Sequence, residues 1–365
     1  MTLPRAAVTP LGNKYRLAVV LVLALAGIAL WGRDAPESPG QLTKLNNART
    51  DFGFVPDLQG TQKFLGSLQK PLFSQAGEDI LRKAEQRDTF LYRYADRCHR
   101  QVYGEPWRVW RQGIGDCVGF GYSLAAYAAM STQYCTGLVP DPPRIVATEA
   151  VYGGARCEAR GVTFAGWSDG ATASGASRWI SGLANGTGGI LFRQKYGDID
   201  LTVYSSDRAK NWGAYGCGGK NNTELDTEAN RLTAEGVALV TNWEECAAAI
   251  ESGYPVAICS SIGFESRRDK DGFARRGPRW LHCMCCLAVR YEANSGRDGI
   301  LIANSWGETW IGPPENRWPD DMPQGCFWAS KKDIEAILAQ GESFAVAGVA
   351  GFVWQDLDHG EWLQQ

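Results

Sequence analysis

Apolar positions change their spacing partway along the chain, from a helical period in the first half to short continuous runs in the second. From Ser74 to Val102 they recur at intervals near 3.6 residues, which predicts one helix with Ser74 as its N-cap. The stretch from Val118 to Met130 is almost entirely small or apolar. It predicts a helix buried on every side, with Asp116 capping its start.

The second half of the chain favours strands. Apolar runs bounded by turn residues predict strands at 254–264, 281–293 and 298–306. Helices are expected over 173–183 and 242–253, and a strand followed by a helix over 325–341. Because helices come first and strands later, the order favours an α+β fold over a wound parallel sheet.

The first residues form a separate unit. Residues 17–31 carry no charge and follow several basic residues, so they predict an N-terminal apolar helix. Its length lies between a signal sequence and a spanning helix, so 1–31 is a signal peptide or a membrane anchor. Residues 32–45 are rich in Pro, Gly and charge and predict a linker. The protein is expected to be exported or membrane-anchored, with the remaining residues outside the cytoplasm and residues 17–31 in the membrane if uncleaved.

Composition narrows the class of protein. The chain has 365 residues, of which 44% are hydrophobic and 21% charged, as in globular proteins. A formal net charge of −3 shows no basic excess, so no nucleic-acid partner is expected. The eleven cysteines are an odd number, so at least one thiol stays free in any internal pairing. The disulfide connectivity stays open.

Cys117 lies where a tight turn meets the predicted buried helix. The first turn of a helix lowers the pKa of a thiol, and the thiolate is its reactive form. Gly113 and Gly115 allow backbone N–H groups to approach the thiol, and Gln112 offers a side-chain amide as an oxyanion donor. The alternative is that Cys117 is a buried residue at a helix start.

A nucleophilic thiol needs a base, and the chain has three histidines. His99 and His359 have polar neighbours and are expected on the surface. His282 begins an apolar strand, and Asn304, in the sequence Asn-Ser-Trp-Gly, can hold its second ring nitrogen.

This order of Cys, His and Asn-Ser-Trp-Gly resembles the papain-like cysteine peptidases. The resemblance implies that Cys117 is the nucleophile, His282 the general base and acid, and Asn304 the residue that orients it. Gln112 would supply an oxyanion donor, and Trp306 would shield the His–Asn pair. The implied fold has two lobes, one helical and one an antiparallel, barrel-like sheet. The implied reaction is endopeptidase cleavage of a peptide or protein through an acyl-enzyme, with no cofactor and no metal.

The resemblance also suggests domain bounds. The peptidase domain would span 106–345, with a C-terminal tail over 346–365. The helical segment 46–105 would be either part of the folded enzyme or a pro-segment. The sequence GWSDG resembles a glycine-rich segment that pairs with substrate, which would assign Ser168, Asp169 and Gly170 to substrate binding.

Four positions depart from the family pattern. Ile114 replaces a structural cysteine, so one family disulfide cannot form, and Val118 replaces an aromatic residue. Asp116 places a carboxylate beside the nucleophile, and Gln112 lies one residue closer to it than usual.

Three other interpretations were weighed. The sequence His282, Cys283, Cys285 and Cys286 has metal-ligand chemistry, but strand alternation places these side chains on two faces. The same triad could instead transfer acyl groups to amines or deamidate. A catalytically inactive, membrane-tethered binding domain could also keep this fold.

Overall fold

A computed structural model of the protein describes residues 52–159, 169–220, 224–292 and 296–357. In chain order the helices are α1 Leu58–Leu65, α2 Phe73–Ala76, α3 Glu78–Lys83, α4 Leu91–Tyr103, α5 Cys117–Cys135, α6 Thr148–Arg156, α7 Ala173–Ile180, α8 Ser206–Tyr215, α9 Glu224–Ala229, α10 Trp243–Glu251 and α11 Lys331–Leu338. The strands are β1 Thr89–Phe90, β2 Lys195–Tyr196, β3 Ile199–Asp200, β4 Val237–Leu239, β5 Val256–Ser260, β6 Phe264–Arg268, β7 Ala274–Arg276, β8 His282–Arg290, β9 Gly299–Ala303, β10 Cys326–Ser330 and β11 Phe344–Val346.

Helix α5 is the centre of the helical part of the molecule. Every residue from Cys117 to Gln133 is buried, as the pattern of small and apolar residues predicts. The helix packs against α4, α6 and α7 on its helical side and against β8 on the sheet. Its first residue is therefore held at the junction between helices and sheet.

The main sheet is antiparallel, with strand order β10-β9-β8-β5-β11-β4 and β1 paired beside β8. Strand β8 is buried along its whole length because both faces are covered. Cys283 and Cys285 belong to the core that contains α5, whereas Met284 and Cys286 belong to the core that contains α10 and α11. Helices thus cover both sides of the sheet, which explains why β8 lacks polar alternation.

The predicted single helix from Ser74 to Val102 is wrong. The chain forms α2, α3, β1 and α4 there, and α2 begins at Phe73, so Ser74 is not its N-cap. The N–H groups of Glu85 and Gln86 donate to Oε2 of Glu251, at 3.0 and 3.1 Å, instead of to a helical carbonyl. Strand β1 then pairs with β8, so tertiary hydrogen bonds override the local period.

The segment before residue 106 belongs to the same core as the rest of the molecule. Phe64, Tyr92 and Ala95 are buried in the core that contains α5. His99 is buried as well, contrary to the surface position expected for it, and its Nδ1 lies 2.8 Å from the carbonyl oxygen of Glu105. The domain bounds at 46, 105 and 346 stay predictions.

The chain after β11 packs against the end of α5. Gln133 Nε2 donates to the carbonyl of Ala347 at 2.6 Å, and the Val349 N–H donates to Gln133 Oε1 at 3.0 Å. His359 lies outside the described residues, as do the apolar segment 17–31 and the linker 32–45. No helix within the four described ranges is both long enough and apolar enough to cross a membrane.

Candidate active site

Cys117 is the first residue of α5, and its thiol faces strand β8. The backbone N–H of Cys283 donates to Cys117 Sγ at 3.3 Å. Cys283 directly follows His282, so folding brings the thiol beside the residue expected to serve as base. Cys117 is fully buried, and this burial, together with the nearby Cys283, raises its pKa well above the usual range. In the conformation described, the sulfur is a neutral thiol.

The loop before Cys117 is held by two residues from distant parts of the chain. Tyr204 Oη accepts the Gly113 N–H at 3.1 Å and donates to Asp116 Oδ2 at 3.0 Å. The Gly115 N–H donates to Asp169 Oδ2 at 3.0 Å. These hydrogen bonds fix the conformation of the loop.

Asp116 precedes α5 as expected, but its side chain makes no capping hydrogen bond to the helix. Its Oδ2 accepts from Tyr204, and its Oδ1 is buried with no hydrogen-bond partner among the described residues. Burial raises the pKa of Asp116 well above its usual range, despite the hydrogen bond from Tyr204. The Asp116 charge, where present, adds to the rise in the pKa of Cys117.

Gln112 links the loop before Cys117 to the Asn-Ser-Trp-Gly turn at residues 304–307. Its backbone N–H donates to the Ser305 carbonyl at 2.8 Å, and its Oε1 accepts from Ser305 Oγ. Its Nε2 donates to the Ile114 carbonyl at 2.8 Å. The amide is thus engaged within its own loop, and its role as an oxyanion donor stays a prediction.

The structure brings His282, Asn304 and Trp306 together. His282 Nε2 lies 2.7 Å from Asn304 Oδ1, and the Trp306 ring lies over the imidazole at a centroid distance of 4.7 Å. Asn304 Oδ1 also accepts the Ser305 N–H at 2.7 Å, which fixes this oxygen as the acceptor. The proton is therefore on Nε2, and Nδ1 is left as a buried base.

Nδ1 of His282 has no hydrogen-bond partner among the residues described. Burial lowers the pKa of His282 to about 4, although the hydrogen bond to Asn304 opposes this shift. The ring is therefore neutral near pH 7 and can accept a proton only when its surroundings become more polar.

An extended segment, Phe52–Val55, lies against the thiol, and a backbone hydrogen bond from Gly53 to Cys117 joins the two. The N–H groups of Gly53 and Phe54 donate to the Leu281 carbonyl at 3.2 and 3.1 Å. On the opposite side, Val55 N–H donates to the Ala171 carbonyl, and Ala171 N–H donates to the Gly53 carbonyl, both at 2.8 Å. Four backbone hydrogen bonds thus hold this segment between two parts of the chain.

The segment Phe52–Val55 contacts both the loop before Cys117 and the imidazole of His282. A Cβ on Gly53 would lie 1.9 Å from the Gly115 carbonyl oxygen, so only glycine fits there. The Phe52 ring lies 6.1 Å from the His282 ring and 5.8 Å from the Trp306 ring. The sequence carried no sign of this contact, because Phe52 and His282 are far apart along the chain.

Of the three residues expected to bind substrate, Ser168 lies outside the described residues. Asp169 holds Gly115, as described above, and the Gly170 N–H donates to Tyr152 Oη at 3.0 Å. Ala171, the next residue, pairs with Phe52–Val55 in a parallel arrangement. The assignment of Ser168, Asp169 and Gly170 to substrate binding stays a prediction.

The His282–Cys286 sequence forms part of β8. Met284 and Cys286 lie in one core, and Cys283 and Cys285 in the other, so the sheet separates the possible metal ligands.

Comparisons with known proteins address the fold. No protein-family model and no curated protein sequence matches the chain. Xylellain, a cysteine protease from Xylella fastidiosa, is similar in structure, with a TM-score of 0.51 and 16% identity over 82% of this chain and 97% of that one.

Two further solved structures are less similar. The cysteine protease and lectin-like domains of Cwp84 from Clostridium difficile give a TM-score of 0.42 and 16% identity, over 73% of this chain and 54% of that one. Procathepsin L 3 from Tenebrio molitor larval midgut gives 0.41 and 12%, over 92% and 99%. At these identities the likeness concerns the fold alone. The described part of the chain has a mixed α/β fold that matches papain-like cysteine proteases.

Proposed function

We propose that the protein is a cysteine endopeptidase that uses Cys117, His282 and Asn304. One observation carries the proposal: the Cys117 thiol accepts the N–H of the residue that follows His282, while His282 itself is bound to Asn304 at 2.7 Å. A thiol, a base with a free lone pair and an orienting amide are the components of nucleophilic acyl transfer.

In the proposed reaction, His282 Nδ1 takes the proton of Cys117, and the thiolate attacks a peptide carbonyl. The backbone N–H of Cys117, at the positive end of α5, stabilises the oxyanion, and Gln112 is proposed as a second donor. His282 then protonates the leaving amine, and water releases the acyl group. Trp306 covers the His–Asn hydrogen bond and shields it from water.

The conformation described is a closed one. Phe52–Val55 lies against Cys117, and its backbone hydrogen bonds to Leu281 and Ala171 are of the kind that an extended substrate would make. A substrate must replace this segment, and its departure would admit water. Water would weaken the two burial effects that now hold the thiol and the imidazole neutral.

Hydrolysis of labelled casein tests the proposal. We expect activity in the full chain that increases in Gly53→Ala, because the added methyl group would overlap the Gly115 carbonyl. Adding Cys117→Ala to Gly53→Ala should lower the rate about a thousandfold or more. Amine incorporation without hydrolysis would support acyl transfer instead, and neither activity in Gly53→Ala would support a binding domain.

A further inference from the structure

Two cysteines face each other where the segment before residue 106 meets the central helix. Cys98 lies on α4, and Cys135 is the last residue of α5. Their sulfur atoms are 3.9 Å apart, and Cys98 Sγ also lies 3.6 Å from the Ser131 carbonyl oxygen. Both cysteines are reduced in this structure.

The two thiols differ in access to solvent. Cys98 is fully buried, whereas Cys135 is half-buried. The contact between the two sulfur atoms lowers the pKa of Cys98 and raises the pKa of Cys135, and the Arg97 charge also favours the Cys98 thiolate. One thiol of the pair is thus reachable from outside, and the other is placed to act second.

We propose that Cys98 and Cys135 form a disulfide that joins α4 to the end of α5. To form this bond, the sulfur atoms must approach from 3.9 Å to about 2.0 Å. The co-reactant is a disulfide oxidant, such as an oxidised dithiol protein or oxidised glutathione.

The exchange proceeds in two steps. Cys135, the thiol that an oxidant can reach, loses its proton and attacks the oxidant. This breaks the S–S bond of the oxidant, and the leaving sulfur takes up the proton as one released thiol, which leaves Cys135 in a mixed disulfide. The Cys98 thiolate then attacks the Cys135 sulfur and releases the second thiol of the oxidant. Two electrons pass to the oxidant, the two cysteine protons end on its two thiols, and one S–S bond joins the helices.

The bridge would close a loop between positions separated by 37 residues, and this loop contains Cys117. The disulfide would restrict the conformations of the unfolded chain and so increase the free energy of unfolding. It would also tie α4 to α5, so that α4 would stay attached after a cut in the chain between these two helices.

Other neighbouring cysteines provide an internal contrast. Cys259 and Cys283 are direct partners in the β5–β8 pairing, and Cys246 forms a hydrogen bond with Cys286. All four are fully buried, so an oxidant has no access to them in the folded protein. The disulfide is therefore specific to Cys98 and Cys135.

The test uses the native full chain, incubated with a mixture of reduced and oxidised glutathione. Remaining thiols are alkylated in denaturant, and an unreduced digest is analysed by mass spectrometry. We expect a peptide containing Cys98 linked to one containing Cys135, and a Tm that falls by several degrees when dithiothreitol is added. Cys135→Ser should abolish both results. The matched control Cys157→Ser, at another half-buried cysteine, should change neither.

Two results would overturn the proposal. One is that both cysteines of the folded wild-type protein are alkylated. The other is that Cys135 carries glutathione while Cys98 is alkylated. Because both are read in the wild-type chain, they decide the matter even if Cys135→Ser fails to fold.

Discussion

His282 has two ring nitrogens in different situations. Nε2 is bound to Asn304 Oδ1 at 2.7 Å, and Nδ1 is buried with no partner among the described residues. An unpaired buried acceptor costs about 1–3 kcal/mol, so this arrangement weakens the fold locally. Such a cost is typical of a group kept for a reaction.

This burial predicts an acid sensitivity. The pKa of His282 is about 4 in the folded protein, against about 6.5 in an unfolded chain. Below pH 6.5 the unfolded state binds a proton that the folded state refuses, so the free energy of unfolding should fall as pH drops from about 6.5 to 4. The loss attributable to His282 is at most about 3 kcal/mol.

Urea denaturation at several pH values measures this loss of unfolding free energy, with His282→Gln as the comparison. The variant should lose less stability than the wild type between pH 6.5 and 4. Equal losses in the two proteins would contradict a buried neutral imidazole.

For single residues, the sequence was informative where the chemistry of a side chain was unusual for its position. A histidine at the start of an apolar strand and an Asn-Ser-Trp-Gly sequence pointed to His282 and Asn304, and the fold brings these two together. The residues that form hydrogen bonds with the loop before Cys117 were not predicted. Tyr204 lies in an irregular stretch, and nothing local indicates that its hydroxyl reaches Gly113 and Asp116.

Elements with a single dominant cause of stability were the most predictable. Helix α5 formed as expected, because small apolar residues on all sides leave burial as the only solution. The prediction of one helix from Ser74 to Val102 failed because the hydrogen bonds of this stretch are divided between local helices and distant groups such as Glu251 and β8. A periodic pattern records which residues are buried, but not where the backbone finds its partners.

In the proposed reaction, the position of the segment Phe52–Val55 controls access to Cys117. Gly53 packs so closely on Gly115 that a methyl group cannot fit, and such overpacking costs about 1–3 kcal/mol. Gly53→Ala should therefore release the segment and increase the rate of Cys117 labelling by iodoacetamide about tenfold.

Gly66→Ala is the matched control. A Cβ at Gly66 would lie 3.5 Å from the nearest atom, which is ordinary contact, so its labelling rate should equal that of the wild type. Peptide mass spectrometry follows the label at Cys117 over time. Identical rates in all three proteins would show that Phe52–Val55 does not limit access to the thiol.

On the scale of the whole molecule, the candidate site joins a helix start to a strand start. Cys117 begins α5 and His282 begins β8, and the packing of α5 on the sheet aligns these two ends. The sequence predicted both elements and their order. It could not show that the site would be covered, because that depends on backbone pairing between residues more than a hundred positions apart, such as Gly53 with Ala171 and Leu281.

The central claim is that Cys117 and His282 share a proton once the site is open. The pH dependence of Cys117 alkylation in Gly53→Ala, with and without His282→Gln, tests this claim most directly. A thiolate paired with an imidazolium reacts with alkylating reagents at pH values well below the pKa of a free thiol, which is about 8.5. We predict that at pH 6 the protein with His282 is labelled about tenfold faster or more, and that the two rates converge near pH 9. The same pH profile in both proteins would contradict the account.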